Sequence, residues 1–234
     1  MNFLQIAQRL RVESGLTSSI SVSPTTVVAQ AGELARIVNW AKDAYTDLQT
    51  SKTNWRWLRS RFTIPTVAGT DTYAYTAATD QISSSTISRF ARWIPLADTG
   101  EPHLTCYRTA TGVSDEQMVY FMPWPDFRDE YKRRTQNNGR PLHFTIDPQN
   151  NLVFGPKPDA IYTVVGEYQK SAQTLALDAD TPEMPSDYHM LIVWNALLDY
   201  AGYSAAPEAF TRAQVKAKPL KSGLEIDQLP DFHF

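Results

Sequence analysis

The sequence predicts an α+β protein with a helical core from N- and C-terminal helices and a central antiparallel β-rich insertion. Residues 30–50 repeat apolar side chains at the 3.6-residue period of an amphipathic helix. Residues 186–203 are apolar almost all round, so other elements must cover this helix on most sides. Between the two helices, short β-branched and aromatic segments alternate with turn formers. We therefore expect the two helices to pack together.

These patterns predict a division of the chain into three parts. The helical core comprises residues 1–60 and 180–220, the β-rich projecting region 61–179, and the C-terminal tail 221–234. A chain of 234 residues fits one large domain or a domain with a sizeable insertion.

Composition restricts the possible classes of protein. A hydrophobic fraction of 42% is enough for a core, and a formal charge of −3 argues against general attraction to nucleic acid. Cys106 is the only cysteine, which rules out an internal disulfide and a cysteine-rich zinc site. The sequence contains neither an apolar run that could span a membrane nor an evident secretion signal, so we expect synthesis in a reducing cytoplasm.

The N-terminal region predicts two helices separated by a loop. Residues 2–13 place apolar side chains on one face of a short helix. The Ser/Thr-rich segment 17–26 contains Pro24 and is predicted to be a loop or an irregular arm that orders on assembly. The long helix then begins near residue 30, with Glu33 in its first turn, where a carboxylate complements the helix dipole.

The segment that follows the long helix mixes aromatic and basic residues. Trp55 and Trp57 are interleaved with Arg56, Arg59 and Arg61. Such a mixture suits either nucleic-acid contact by stacking and phosphate pairing or an element with one packed face and one wet face. Packing is the favoured interpretation.

The central region is predicted to be a sheet of short strands. One helix, 126–134, interrupts it, with acidic residues first and basic residues last. Two of the strands form a hairpin around Asp147–Asn151. A strand-like stretch, 103–107, surrounds Cys106. The other predicted strands are 62–64, 72–75, 87–96, 142–146, 152–154 and 161–168.

The C-terminal region predicts two helices and a tail. Ser186 is a suitable N-cap for the apolar helix. A more polar helix covers 208–218, and Pro219 limits it. The tail exposes a candidate partner-binding anchor that fills pockets on another chain, or else folds back on its own subunit. The anchor consists of Leu229, Pro230, Phe232 and Phe234.

A search for chemistry finds no catalytic, cofactor-binding or metal-binding residues. Glycine-rich phosphate loops and nucleophile-elbow patterns are absent, and the four histidines are widely spaced. His189 is interpreted as a hydrogen-bonded boundary residue, and Cys106 as a buried, inert thiol. The adjacent acids Asp115–Glu116 and Asp129–Glu130 point in different directions if they are helical.

Several short segments occur in a distinctive order along the chain. They are Gly32-Glu33-Leu34, Val38-Asn39-Trp40, Ala44, Trp55-Arg56-Trp57-Leu58, Trp124, Phe127-Arg128, Gly139-Arg140-Pro141, Gly155-Pro156-Lys157-Pro158, Pro185-Ser186-Asp187-Tyr188-His189, Leu191-Ile192-Val193-Trp194 and Ala206-Pro207-Glu208. In this order they resemble the head-to-tail adaptor (connector) proteins of tailed bacteriophages. The resemblance covers about residues 30–210 and rests on the order of the motifs, since no single motif is chemically diagnostic.

This resemblance implies a structural virion protein without enzymatic activity or cofactor. It implies a homo-oligomeric ring, usually dodecameric, that docks beneath the portal protein at the head-tail junction after assembly in the host cytoplasm. The ring extends the channel through which genomic DNA passes without specific binding. It also offers a platform to tail proteins of the nozzle or fibre. Two alternatives remain open: another structural phage protein, for tail tube or head completion, and a cell-wall glycan hydrolase.

Overall fold

The computed structural model describes residues 1–15, 23–133 and 135–230. The described chain divides into two compact units. The helical unit comprises Met1–Trp57 and Ala172–Pro230, and the sheet unit comprises Leu58–Ser171. N- and C-terminal helices pack together, and the central sheet is mixed but mostly antiparallel. The predicted α+β fold class is confirmed.

The described residues form five α-helices, four of which belong to the helical unit. They are α1 (Phe3–Glu13), α2 (Gly32–Thr50), α3 (Trp124–Phe127) in the sheet unit, α4 (His189–Ser204) and α5 (Pro207–Gln228).

Helix α4 is the centre of the helical unit, and α1, α2 and α5 all pack against it. Its buried residues lie on most of its circumference, as the apolar sequence predicts. The few polar positions of this helix lie nearer the surface: Asn195 is half-buried, and Asp199 and Gly202 are exposed. The amphipathic helix α2 turns its apolar stripe toward α4, with Ile37, Ala41 and Tyr45 fully buried, among others.

Two predicted features of the C-terminal helices are wrong. Ser186 is not the N-cap of α4: it opens a short 3₁₀ turn, Ser186–Tyr188, and Tyr188 occupies the cap position. Helix α5 does not end before Pro219 but continues to Gln228. Proline removes one backbone hydrogen bond. The apolar stripe of Ala213, Ala217 and Leu224 continues through this point and stays buried, so packing outweighs that loss.

The sheet unit contains nine described strands. They are β1 (Arg59–Pro65), β2 (Thr72–Tyr73), β3 (Thr79–Asp80), β4 (Arg92–Ile94), β5 (Leu104–Arg108), β6 (Gln117–Phe121), β7 (His143–Ile146), β8 (Leu152–Gly155) and β9 (Tyr162–Gln169).

Strand β9 organises the sheet, whose order is β2-β8-β7-β6-β5-β9-β1-β3. One edge of β9 pairs with the whole of β1, from Arg59↔Gln169 to Pro65↔Thr163. Its other edge pairs first with β5 and then with β4. Only β6 and β7 run parallel among the pairs of named strands in the described residues. The predicted hairpin around Asp147–Asn151 is confirmed as β7 and β8.

Residues of β1, β9 and β5 alternate between a buried and an exposed face. The buried face holds Phe62, Trp93 and Tyr168. The Phe62 ring contacts the other two, with centroids 4.6 Å from Trp93 and 6.5 Å from Tyr168. Gly166 lies under the Phe62 ring, where an added Cβ would come within 2.9 Å of it. Only glycine therefore allows this close approach of β9 to the core.

Three predictions in the central region need correction. The predicted strand 87–96 is reduced to β4, which ends before Pro95, a residue with no N–H to continue the ladder. Strands β3 and β6 were not predicted. The predicted helix 126–134 is instead α3 followed by a π-helical turn, Arg128–Lys132, and Arg134 lies outside the described residues.

Asp80 is a buried carboxylate that ties a loop to the sheet. It accepts hydrogen bonds from the Ser60 hydroxyl and the Tyr168 phenol, each 2.6 Å long. It also accepts the backbone N–H groups of Ile82 and Ser83, each at 2.8 Å. Burial alone would raise its pKa, but these four donors outweigh burial and hold the pKa well below 3.8.

We predict that Asp80→Asn lowers the free energy of unfolding by about 2 kcal/mol at pH 7, because hydroxyl donors lose a charged acceptor. The folded-state pKa of Asp80 lies below its unfolded value. The contribution of ionised Asp80 to the stability of the fold is therefore complete above about pH 4. This contribution is lost as pH falls through the folded-state pKa. Urea unfolding at several pH values checks this. A difference between the two proteins that does not narrow in acid contradicts it.

Candidate assembly surfaces

The predicted C-terminal anchor is only partly described. Leu229 follows the last turn of α5, and its N–H donates to the Glu225 carbonyl over 3.0 Å. Leu229 and Pro230 are half-buried. Phe232 and Phe234 lie outside the described residues. The four anchor residues therefore remain a prediction.

The predicted arm 17–26 lies partly outside the described residues, which resume at Ser23. The end of this segment is held in the helical unit. The Pro24 carbonyl accepts a 2.9 Å hydrogen bond from Gln8, and the Thr26 hydroxyl donates to the Asp178 carboxylate over 3.1 Å. The next residue, Val27, donates its N–H to the same carboxylate over 2.6 Å.

The structure supports packing for the aromatic residues after α2. Trp55 is fully buried, and its indole N–H donates to the Leu48 carbonyl over 3.1 Å. Its ring stacks on Trp57 with 4.3 Å between centroids. Among the nearby arginines, Arg59 forms a bidentate salt bridge with Asp98. These groups are already engaged within the protein.

Three of the four acids considered as catalytic pairs are also engaged in contacts within the protein. Asp115 accepts from the Arg140 guanidinium over 2.9 Å and from the Arg108 N–H over 3.0 Å. These two donors lower its pKa. Glu116 accepts from the Thr105 hydroxyl, and Asp129 pairs with Arg133 at 3.1 Å. Three of these four acids therefore have a structural partner.

Cys106 and His189 occupy the positions that the sequence predicts, a buried site and the start of an apolar helix. The Cys106 thiol is fully buried, and burial raises its pKa. His189 is 2% exposed at the start of α4, and its Nε2 lies 3.0 Å from the Met184 carbonyl oxygen. Burial lowers the pKa of its imidazole. Within residues 1–15, 23–133 and 135–230, no group of His, Cys, Asp and Glu could hold a metal ion.

The outer side of the α2–α4 pair carries three carboxylates, Asp43, Asp47 and Asp199, here called the acidic edge. All three residues are exposed. Within the described part of the chain, none of the three forms a salt bridge. Partial burial of the Asp199 carboxyl and the charges of Asp47 and Asp43 raise its pKa. The three like charges therefore oppose one another.

Aromatic residues continue the acidic edge toward the N-terminal half of α2. Arg36, Trp40, Asp43 and Asp47 recur at positions i, i+4, i+7 and i+11, which lie on one face of a helix. Trp40 contacts Tyr203 of α4, with ring centroids 5.6 Å apart, and the Arg36 guanidinium lies over the Tyr203 ring. Tyr203 is 62% exposed, so this apolar surface is accessible.

Helix α5 carries an open groove of about 510 Å³, here called the basic groove. Its apolar part includes Val215, which is 65% exposed. Its bases are Arg212 and Lys216, one helical turn apart. The residues that line it are Pro207, Glu208, Thr211, Arg212, Val215 and Lys216.

The base at the centre of the basic groove is held in place by α1 and α4. Arg212 pairs with the Glu13 carboxylate and donates to the Glu13 carbonyl over 2.7 Å. Its guanidinium also lies 5.8 Å from the centroid of the Trp194 ring. Arg9 shares Glu13 at 2.6 Å, so two guanidinium groups share one carboxylate. With Lys216 and Glu208 included, the groove and these neighbours hold three bases and two acids, which leaves one net positive charge.

Sequence reasoning missed both surfaces. A signal was present: Asp43 and Asp47 are like charges at i, i+4 on the polar face of α2, and Arg212 and Lys216 repeat this spacing on α5. The third acid of the edge, Asp199, lies on another helix, α4. Only the packing of α2 on α4 brings it there.

Exposed aromatic side chains such as Tyr203 are enriched where proteins contact one another. The sequence profile of the SU10 adaptor protein family matches residues 1–228. The chain therefore belongs to this family of head-tail adaptor proteins of bacteriophages, and the predicted resemblance is confirmed. No curated protein matches the chain significantly.

No helix in the described part of the chain combines the length and apolar composition needed to cross a membrane.

We predict that Asp199→Asn raises the free energy of unfolding by about 0.5 kcal/mol at pH 7, because it removes one of three opposing charges at a largely exposed site. The folded-state pKa of Asp199 is raised, so the ionised wild-type residue destabilises as pH rises through it. The gain in unfolding free energy should vanish in acid, where the carboxyl is neutral. It should shrink in about 1 M NaCl, because salt screens the repulsion between exposed charges. Thermal unfolding measures both. A gain independent of pH and salt would indicate a packing effect instead.

Proposed function

We propose that this protein is the head-to-tail adaptor that forms a ring, with a dodecamer as the expected state, beneath the portal protein. The ring extends the DNA channel at the head-tail junction of the virion and is assembled in the host cytoplasm. It gives tail proteins of the nozzle or fibre a platform. The observation that carries this proposal is the family match, which extends over both the helical unit and the sheet unit.

The helical unit supports the ring. Rings need a heterologous interface, in which one surface of a subunit meets a different surface of its neighbour. Helix α4 is covered by three other helices, which gives the unit a packed interior. The outer sides of α2 and α5 then remain available for unlike surfaces, one acidic and one basic.

The charge balance supports passage of DNA without specific binding. Each phosphate contact by a lysine or arginine adds to retention, and a conduit must release its cargo. The formal net charge of the chain is −3. Several arginines are engaged in internal pairs, among them Arg59 with Asp98 and Arg140 with Asp115.

The first test mixes the purified protein with portal rings of the same phage and measures the mass of the complex by native mass spectrometry. We expect the portal to gain a whole ring of subunits, with twelve as the family expectation. Assembly of the protein into tubes, or binding to tail proteins but not to portal, would favour a tail-tube protein. A protein that neither binds portal nor assembles with itself would overturn the proposal.

We propose that the C-terminal anchor makes part of the portal contact. Leu224 is fully buried within α5, so removal of the whole segment 224–234 would damage the core as well as the anchor. A cut after Gln228 is cleaner, because it lies at the end of the helix.

We predict that a protein truncated after Gln228 unfolds at nearly the wild-type temperature but binds portal about tenfold to a hundredfold more weakly. The reason is that loss of the apolar anchors costs about 1.4–2.8 kcal/mol of binding free energy in total, and 1.4 kcal/mol is a factor of ten. Co-sedimentation with portal measures the loss. A full-length variant with Phe232→Ser and Phe234→Ser separates the anchors from chain length. Wild-type binding by both proteins would place the portal contact elsewhere.

A further inference from the structure

The acidic edge and the basic groove are both unsatisfied surfaces of the same unit. In the described residues, the three carboxylates of the acidic edge have no basic partner, and Lys216 has no acidic partner. Exposed charges normally gain little from pairing within a monomer. Clustered like charges beside exposed aromatic rings are different, because they combine mutual repulsion with apolar area that a partner can cover.

The two surfaces face different directions. Trp194 of α4 lies under Arg212 in the basic groove, whereas Asp199 lies beside Asp43 and Asp47. Positions 194 and 199 are separated by about 140° around a helix. One surface therefore cannot cover the other within a subunit, but it can cover that of a second copy. Repetition of such a contact generates a ring when the rotation closes.

We propose that the acidic edge of one subunit docks in the basic groove of the next, and that this contact closes the adaptor ring. The inference rests on the proposed function and names the interface within it. The occupant of the groove is a second copy of this chain, and charge complementarity selects it.

The spacing of the charges supports this pairing. Asp43 and Asp47 are one turn apart on α2, and Arg212 and Lys216 are one turn apart on α5, so each pair spans about 6 Å. Helix α2 of one subunit and helix α5 of the next, lying parallel or antiparallel, can therefore pair both acids with both bases at once. Beside the charges, Trp40 and Tyr203 offer apolar area to the exposed Val215 of the groove. Like charges within the acidic edge are then relieved by the opposing bases.

Nucleic acid fits the groove less well. Glu208 lies among its lining residues, which include only two bases. A DNA phosphate track would require a longer row of free bases. The acidic edge cannot bind phosphate at all. One heterologous protein contact therefore uses both surfaces, whereas DNA binding would use neither fully.

The test reverses the charges of each surface separately. The edge variant carries Asp43→Lys and Asp47→Lys. The groove variant carries Thr211→Glu and Lys216→Glu, which leaves Arg212 and its structural contacts in place. Matched controls are Lys221→Glu and Asp227→Lys, exposed residues of α5 that do not line the groove. Assembly on portal rings is followed by native mass spectrometry, and the folding of each variant by circular dichroism.

We expect each reversed variant alone to need an about tenfold higher concentration for half-maximal ring formation, while the controls assemble as the wild type does. An equimolar mixture of the edge and groove variants should restore assembly, since every contact in an alternating ring again joins opposite charges. Restoration also shows that both variants are folded.

The outcomes separate this inference from the proposed function. If the wild-type protein forms no ring on portal, the proposed function fails. If the wild type assembles and both reversed variants assemble equally well, only the proposed interface is wrong. Loss of assembly that the mixture does not restore also contradicts the pairing. A groove variant that assembles normally but retains less DNA would assign the groove to nucleic acid instead.

Discussion

The burial of α4 is the constraint on which the helical unit depends. Its sequence is apolar around most of its circumference, so the helix is stable in water only inside other elements. Side chains such as Leu191, Ile192 and Val193 are fully buried, and each such burial contributes about 1.5–3 kcal/mol. Covering them requires α1, α2 and α5 together. Segments far apart in the sequence are thereby brought into one unit.

This arrangement also determines what the unit presents to its surroundings. Helices α2 and α5 turn their apolar stripes toward α4, so their charged residues face outward. Asp43 and Asp47 thus lie on one outer side, and Arg212 and Lys216 on another. A protein built in this way keeps its own core closed and still offers unlike surfaces. Both properties suit an adaptor that belongs to a larger assembly.

The sheet unit is governed by a different constraint, the pairing of β9 on both edges. Register with β1 places Gly166 opposite Phe62, which lets the aromatic core approach the strand closely. The same sheet brings Ser60 and Tyr168 to one carboxylate, Asp80. A buried charge needs such donors, because desolvation would otherwise favour its neutral form. Short strands are thus joined by polar as well as apolar contacts.

Local periodicity was enough to predict the helix–sheet–helix order, and turn residues were enough to predict the hairpin around Asp147–Asn151. The order of the motifs indicated the family. The sequence by itself did not determine the end of α5: the local rule for Pro219 was outweighed by packing on α4. Strand β6 was missed because only Val119 of its five residues is buried, so the strand lacks the alternation of a half-buried strand. The acidic edge and the basic groove were likewise decided only by tertiary structure. Asp199 meets Asp43 and Asp47, and Arg212 meets Glu13, through helix packing that no local pattern specifies.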